Sequence, residues 1–260
     1  MAIYLSPNLS TPERVNAALR VVGCFETRLK QRVYMSAADS ERLLGDDSHT
    51  GDASAATLAV SVGGDGSVLR AAQTAVRAGL PLLGVNSGRL GYLCALELKE
   101  LDALNAERLD GFRAEERTLL SIELDGQTHL ALNDVVIARR RLAGTLSAAV
   151  TRNGEALLRF RGDGLIVATP TGSTAYSRSA GGPVLTPDCG CFALTPICAH
   201  TAGTAPTVVP DSDTYVLSVT DTGGDAADVL ADGVTLGSLT GALTVRKHPN
   251  TLRLLRRKDQ

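Results

Sequence analysis

An apolar run at residues 57–62 ends directly in Gly63-Gly64-Asp65-Gly66, and no other passage limits the fold so sharply. Behind it Val68, Leu69, Ala72, Ala75, Val76 and Gly79 recur at helical spacing, and residues 80–85 form a second apolar run. A short apolar run bounded by glycine reads as a buried strand, and the 3.6-residue period reads as an amphipathic helix. Strand, helix and strand in that order predict a parallel sheet with helices packed on it. Upstream, residues 2–5 supply another strand, Thr11 an N-cap, Pro12 the first helical position and Gly23 a helix end. Residues 46–52 carry no apolar period and read as an exposed loop.

After about residue 112 the pattern changes to short strands separated by turn residues. Asp125-Gly126 and Asn153-Gly154 each sit between strand-like runs and predict two-residue hairpins, and residues 215–220 and 243–246 continue the strands. The fold class is therefore an α/β N-terminal domain with a parallel sheet and helices, followed by a β-rich C-terminal domain. The expected boundaries are 1–112 for the first domain and 113–241 for the second, with 242–260 returning to the first. Two such domains leave a crevice where ligands commonly sit.

Composition narrows the function classes. A net charge of −2 gives no electrostatic reason to bind nucleic acid or an anionic membrane. No apolar run approaches the ~18 residues that span a bilayer, and the start of the chain lacks a basic segment, so a cytoplasmic protein is expected. Cys189, Cys191, Cys198 and His200 hold four potential zinc ligands, but C-x-C and C-x-H spacing fits metal sites poorly; core cysteines are the expectation, and no metal is assigned to protein ligands.

Three stretches carry chemistry. Gly63, Gly64 and Gly66 let main chain approach a ligand closely, and the amides at the turn and helix start suit a phosphate. Asp65 stands within that cradle, where a carboxylate repels phosphate unless it serves a proton or a metal. Asn86-Ser87-Gly88-Arg89-Leu90-Gly91-Tyr92-Leu93 follows the next strand, so both loops fall at the ligand-binding edge of an open α/β sheet. Residues 162–177 run from a strand into a turn dense in Thr, Ser and Gly with Tyr176, offering donors, acceptors and a stacking face.

Together these passages resemble the NAD kinase family, whose pattern joins a G-G-D-G loop, an N-x-G-x-L-G-[FY]-L loop, an asparagine–acid pair and D-G-x-x-x-x-T-P-T-G-S-T-A-Y-x-x-S-x-G-G-P. All four occur in order, with Asn133-Asp134 as the pair and residues 163–183 as the last motif. Diacylglycerol kinases, sphingoid-base kinases and phosphofructokinases resemble the chain only in the glycine-rich aspartate loop. The resemblance implies phosphoryl transfer from ATP, another nucleoside triphosphate or polyphosphate to the 2′-hydroxyl of the adenosine ribose of NAD. It implies Asp65 as the catalytic base and Gly66 as a dinucleotide contact beside it. Asn133 and Asp134 are then implied to hold ribose hydroxyls, Arg161 and Asp163 to line the site, and Tyr92 to fill an aromatic slot. Thr174, Ala175, Tyr176, Ser177, Arg178 and Ser179 correspond to the adenine side, with Tyr176 stacking, and Cys198 to a main-chain contact. Mg²⁺ bound mainly through the phosphate donor, and a homodimer or homotetramer, are further implications.

The sequence departs from the pattern at Asp134, one methylene shorter than the usual glutamate, at Ser87 in place of arginine, and at Val234 where glutamine often follows the Asp232-Gly233 pair. Arg139-Arg140-Arg141 is read as a solvated hairpin face, with a phosphate clamp as the competing reading. A catalytically silent dinucleotide binder is the other alternative, and an intact Asp65 speaks against it.

Overall fold

The structure, a computed structural model, describes residues 1–88, 91–141, 144–221, 226–239 and 241–257. Arg89 and Leu90 of the second loop, and residues 258–260 of the returning segment, lie outside the described residues. The chain divides into two compact units, Met1–Glu116 with Leu252–Gln260, and Arg117–Thr251.

The first unit runs β1 (Ala2–Pro7), α1 (Pro12–Gly23), β2 (Arg32–Tyr34), α2 (Ala37–Leu44), β3 (Leu58–Gly63), α3 (Asp65–Ala78), β4 (Leu82–Asn86), β5 (Leu96–Glu97), α4 (Ala106–Asp110) and β6 (Phe112–Arg117). Strands β2, β1, β3 and β4 lie side by side in parallel, and β5 pairs with β4. Thr11 caps α1 by accepting from the Arg14 amide, with Pro12 at the first turn. Gly23 does not stop that helix: its φ is −57°, and the chain continues as a π-helical turn over Cys24–Arg28. Helix α3 ends where Gly79 adopts φ +65°, a left-handed conformation that costs glycine nothing. Its buried face is Val68, Ala71, Ala72, Ala75 and Val76, whereas Leu69 is only half-buried. Small residues on that face bring α3 close to the sheet. Ile3, Leu5, Val60, Val62, Leu83 and Val85 fill the core with Phe25 and Met35, and each fully buried aliphatic side chain contributes about 1.5–3 kcal/mol. Helix α2 is too short for a long stripe, buries Ser40 and Leu43, and is set by its ends, Ser36 as N-cap and Gly45 at φ +79°.

The second unit contains β7 (Leu120–Leu124), β8 (Gln127–Ala131), β9 (Asp134–Arg139), β10 (Leu146–Arg152), β11 (Glu155–Gly162), β12 (Gly164–Ala168), the short helix α5 (Tyr176–Ser179), β13 (Cys191–Ile197), β14 (Thr207–Pro210), β15 (Tyr215–Asp221), β16 (Ala227–Ala231), β17 (Val234–Leu239) and β18 (Ala242–Lys247). They form two sheets, ordered β11-β10-β15-β18-β7-β8 and β14-β13-β12-β9-β16-β17. Alternate residues from both, among them Ile122, Val150, Leu217 and Val245 from one and Ile137, Val167, Leu194 and Val229 from the other, pack as a sandwich core. The second sheet is covered on its other face as well: Val136, Ile166, Ala168, Ala193 and Ile197 pack with Ala180 and Leu185. That double burial explains why β12 is a continuous apolar run.

Both predicted hairpins form, with Asp125 and Gly126 at φ +49° and +76° and Asn153 and Gly154 at +50° and +88°. A third, unanticipated, turns at Asp232 and Gly233, φ +48° and +79°. The return to the first unit begins with β19 (Leu252–Arg257), which pairs parallel to β4; Ala242–Lys247 pairs with β15 and β7 instead. The cysteines divide. Cys24 and Cys94 are buried, but Cys198 is exposed and Cys189 and Cys191 are disulfide-bonded around Gly190, whose φ of +62° permits the tight turn. The core reading of those three cysteines is thereby corrected.

Candidate functional site

The predicted residues gather into two assemblies, one in each unit. In the first, parallel pairing sets Gly63 opposite Asn86, so the loops after β3 and β4 leave the same edge of the sheet. The Gly63 φ of +152° suits only glycine, and a Cβ there would run into the Ser67 side chain. Gly64 is the N-cap of α3 without any side-chain cap; the Ser67 amide turns back to the Gly64 carbonyl at 2.8 Å, and the Asp65 and Gly66 amides before it suit an anion. Asp65, the first helical residue, turns its carboxylate to the second loop and accepts from the Tyr92 amide at 2.8 Å and the Leu93 amide at 3.0 Å. Glycine at position 91 leaves room for that carboxylate, which a Cβ would displace. Asn86 closes the start of the loop by accepting from the Gly88 amide, and Arg256 donates to the Tyr92 carbonyl at 2.8 Å. The Tyr92 ring stands 68% exposed, an aromatic presented rather than packed. Beneath the loop, burial pushes the Cys94 thiol up to about 12, with the Asp65 charge adding to the effect.

In the second unit, β9 lies beside β12 with Asp134 opposite Ala168, so the Asn133-Asp134 pair adjoins the start of the Thr169–Thr174 turn. Thr169 joins them: its amide donates to the Asn133 carbonyl at 2.9 Å and its hydroxyl to the Leu132 carbonyl at 2.5 Å. The Gly172 amide donates to the Thr169 hydroxyl, and a Cβ on Gly172 would collide with the Asn133 carbonyl. Ser173 donates to the Pro170 carbonyl and Thr174 to that of Thr171, winding the segment toward α5. Tyr176 is 47% exposed, and Ala175, Arg178 and Ser179 flank it on or beside the short helix. Ser177 differs from its neighbours: its hydroxyl is buried against that of Thr195 at 2.8 Å and anchors the helix to β13. The Asn133 Oδ1 is buried without a hydrogen-bond partner, a state that a ligand donor would relieve.

Asp134 is buried, and burial followed by the nearby Asp232 charge pushes its carboxyl up to about 7. Asp232 went unassigned at the level of sequence, yet its carboxylate accepts from the amides of Leu132, Asn133 and Asp134. The only advance signal was the Asp-Gly turn pair itself. Asp163 is already paired, taking the Arg139 Nε at 2.8 Å, and that hydrogen bond holds its carboxyl below the usual range. Arg140 likewise pairs with Asp228. Arg140 and Arg141 are exposed, as a solvated face requires, whereas the Arg139 side chain is mostly buried in its ion pair. Arg161 is exposed and donates to Thr145, and Cys198 is exposed at φ +47°. Among the described residues no group of three or more His, Cys, Asp and Glu side chains is arranged to hold a metal ion. A cavity of about 660 Å³ lined by Leu96, Leu104, Phe112 and Arg257 lies in the first unit and includes none of the predicted site residues.

The chain matches the ATP-NAD kinase N-terminal domain over residues 12–111 and the ATP-NAD kinase C-terminal domain over residues 132–256. It is 41% identical to an NAD kinase of Koribacter versatilis over 183 residues, 68% of this chain and 64% of that protein. It is 39% identical to an NAD kinase of Flavobacterium johnsoniae over 170 residues, 63% of this chain and 58% of that protein. These matches span less than two thirds of either relative. With an NAD kinase of Bordetella parapertussis the identity is 39% over 210 residues, 77% of this chain and 70% of the relative. Among solved structures, an NAD kinase from Archaeoglobus fulgidus in complex with ATP superposes with a TM-score of 0.75 at 28% identity, covering 100% of this chain and 93% of that one. Yeast NADH kinase complexed with NADH shares the fold, with a TM-score of 0.84 at 21% identity over 100% of this chain and 84% of that one.

Proposed function

This chain belongs to the NAD kinase family, and from that premise we propose that it transfers the terminal phosphate of ATP, another nucleoside triphosphate or polyphosphate to the 2′-hydroxyl of the adenosine ribose of NAD. The observation that carries this reading is the position of Asp65, a carboxylate at the first residue of a helix whose N-terminus no side chain caps. Open first-turn amides attract phosphate. A carboxylate beside them makes chemical sense when a hydroxyl there must lose its proton as the bond to phosphorus forms, a role typically worth about 10²–10⁴ in rate. Phosphoryl transfer otherwise asks the protein mainly to position and to stabilise charge.

The second unit supplies recognition in this reading. The unpartnered Asn133 Oδ1 calls for an N–H donor, which the adenine 6-amino group provides, while the exposed Tyr176 ring offers the stacking face. Asp134 faces ribose hydroxyls, and Tyr92 and Gly66 border the reacting end. Mg²⁺ would accompany the phosphate donor, held mainly by its oxygens rather than by side chains, and would offset phosphate charge. We further propose a cytoplasmic homodimer or homotetramer; among the described residues no helix is long and apolar enough to cross a membrane.

The test is incubation of the purified protein with labelled ATP and, separately, NAD, diacylglycerol or fructose 6-phosphate. Label is expected in NAD alone. Label in the lipid or the sugar overturns the reading, and NAD binding without turnover makes the protein a silent dinucleotide binder. Replacing ATP by polyphosphate in the NAD reaction separates the donors.

A further inference from the structure

Three hairpins in the second unit share one turn type, with both central residues at positive φ: Asp125-Gly126, Asn153-Gly154 and Asp232-Gly233. Asn or Asp followed by Gly serves such a turn equally well. Asp125 is exposed, and Asn153 ties its own turn to Asp213 and Thr214. Asp232 does something different. Its Oδ2 accepts from the Leu132 amide at 2.8 Å, and its Oδ1 accepts from the Asn133 amide at 2.7 Å and the Asp134 amide at 3.2 Å.

Those three consecutive amides form a small anion cradle, and the remaining main-chain groups of the segment are accounted for as well. The Leu132 and Asn133 carbonyls accept from Thr169, and the Asp134 carbonyl accepts from the Asp232 amide. Every polar main-chain group of residues 132–134 is thereby held, so the side chains of Asn133 and Asp134 are carried on a fixed backbone. A turn alone does not explain a carboxylate here. Asp232 sits close enough to the buried Asp134 for its charge to push the Asp134 carboxyl up further, an effect that asparagine at position 232 would remove. Charge-assisted hydrogen bonds are roughly twice as strong as neutral ones, and that gain is collected entirely on residues 132–134.

We propose that Asp232 is a positioning residue of the nucleotide site, fixing Asn133 and Asp134 by gathering three amides onto one carboxylate. The proposal rests on the NAD kinase reading for what the turn holds. Asp232→Asn keeps the hairpin, since Asn-Gly suits the turn, but removes the charge and one acceptor. Asp125→Asn is the matched control, the same change in the same turn type on an exposed residue.

In steady-state assays with ATP and NAD, Asp232→Asn is expected to raise the KM for NAD about tenfold and to lower kcat by up to about 10²-fold, the scale of a 1 Å misplacement. The KM for ATP should stay within about twofold, and Asp125→Asn should change none of the three constants. Asp232→Gly, which keeps the positive φ without any acceptor, should be weaker still. Wild-type NAD constants in Asp232→Asn, with or without a lower Tm, overturn the proposal and leave a turn of purely structural value. Hydrogen exchange on the wild-type protein tests the clamp without any variant: slow exchange at the amides of residues 132–134 is expected, and fast exchange overturns it. If the wild type neither binds nor phosphorylates NAD, the functional reading falls first; slow amides in that case retain the clamp but not its assignment to a nucleotide.

Discussion

The turns around Asp65 and Asp232 use the same chemistry toward different ends. Each carboxylate accepts consecutive main-chain amides from a distant segment, Tyr92 and Leu93 in the first unit and Leu132, Asn133 and Asp134 in the second. Asp65 stands on a glycine turn at an uncapped helix start, next to the exposed Gly66. Asp232 is pressed into a hairpin tip, where burial pushes its carboxyl up against the three amides that hold it down. An acid that must meet substrate needs open main chain around it. An acid that only organises others does not. Both carboxylates are half-buried, so the difference between the two turns lies in the main chain beside each acid, an uncapped helix start at Asp65 and a fully held segment at Asp232.

The comparison breaks first at Asp65. Asp65→Asn should lower kcat by at least about 10²-fold while leaving the fold and much of the NAD affinity intact, as loss of a general base requires. Should KM rise with kcat preserved, Asp65 would be a positioning acid like Asp232 and the contrast would collapse. Next come the glycines against which each turn packs. Gly172→Ala forces a Cβ into the Asn133 carbonyl, main chain that cannot swing away; a cost of about 1–3 kcal/mol in stability is expected, with a raised KM for NAD. Gly91→Ala meets only the Asp65 side chain, so kcat should fall with little change in Tm. Paired kinetics and thermal unfolding of the two variants read this directly.

Tyr176→Ala removes a ring that is about half exposed, so stability should change little while the KM for NAD rises about tenfold, the value of one stacked base. A fall in kcat is expected with it, because a loosened adenine misplaces the ribose; unchanged kinetics would place the adenine elsewhere. A smaller effect concerns pH. The folded protein keeps Asp134 protonated up to about 7, above its ordinary 3.8, so between those values the folded state binds more protons than the unfolded one. Stability should therefore fall as pH rises through that window and level off above it. Asp134→Asn should flatten the slope in thermal unfolding, and an unaltered slope would assign it to other groups. Smallest of all, the Cys189–Cys191 disulfide closes a loop with a sequence separation of only 2, so reducing it should barely move Tm.

Much of this was legible beforehand, for reasons that differ between the two halves. The strand–glycine–helix passage and both predicted hairpins rest on local rules, and Asp65, Tyr92, Asn133 and Tyr176 lie in contiguous motifs. What escaped depends on residues far apart in the chain. Asp232 acts on amides 98–100 positions away, and Arg139 takes up Asp163 through sheet pairing. Helix α2 was hard to read because its eight residues make only about two turns, too few for a period to show. The cysteines misled because the conformation of Gly190, not the spacing, brings Cys189 and Cys191 together.

The central claim is that placement selects one hydroxyl. An adenosine ribose carries neighbouring 2′- and 3′-hydroxyls of similar reactivity, so only a held nucleotide can distinguish them. The most direct measurement is the phosphorylation position in the product formed by wild-type protein from NAD and ATP, read by phosphorus NMR and by activity with an NADP-specific dehydrogenase. The account predicts phosphate on the 2′-oxygen alone and full activity in the coupled assay. Phosphate on the 3′-oxygen, or a mixture of the two, would contradict it.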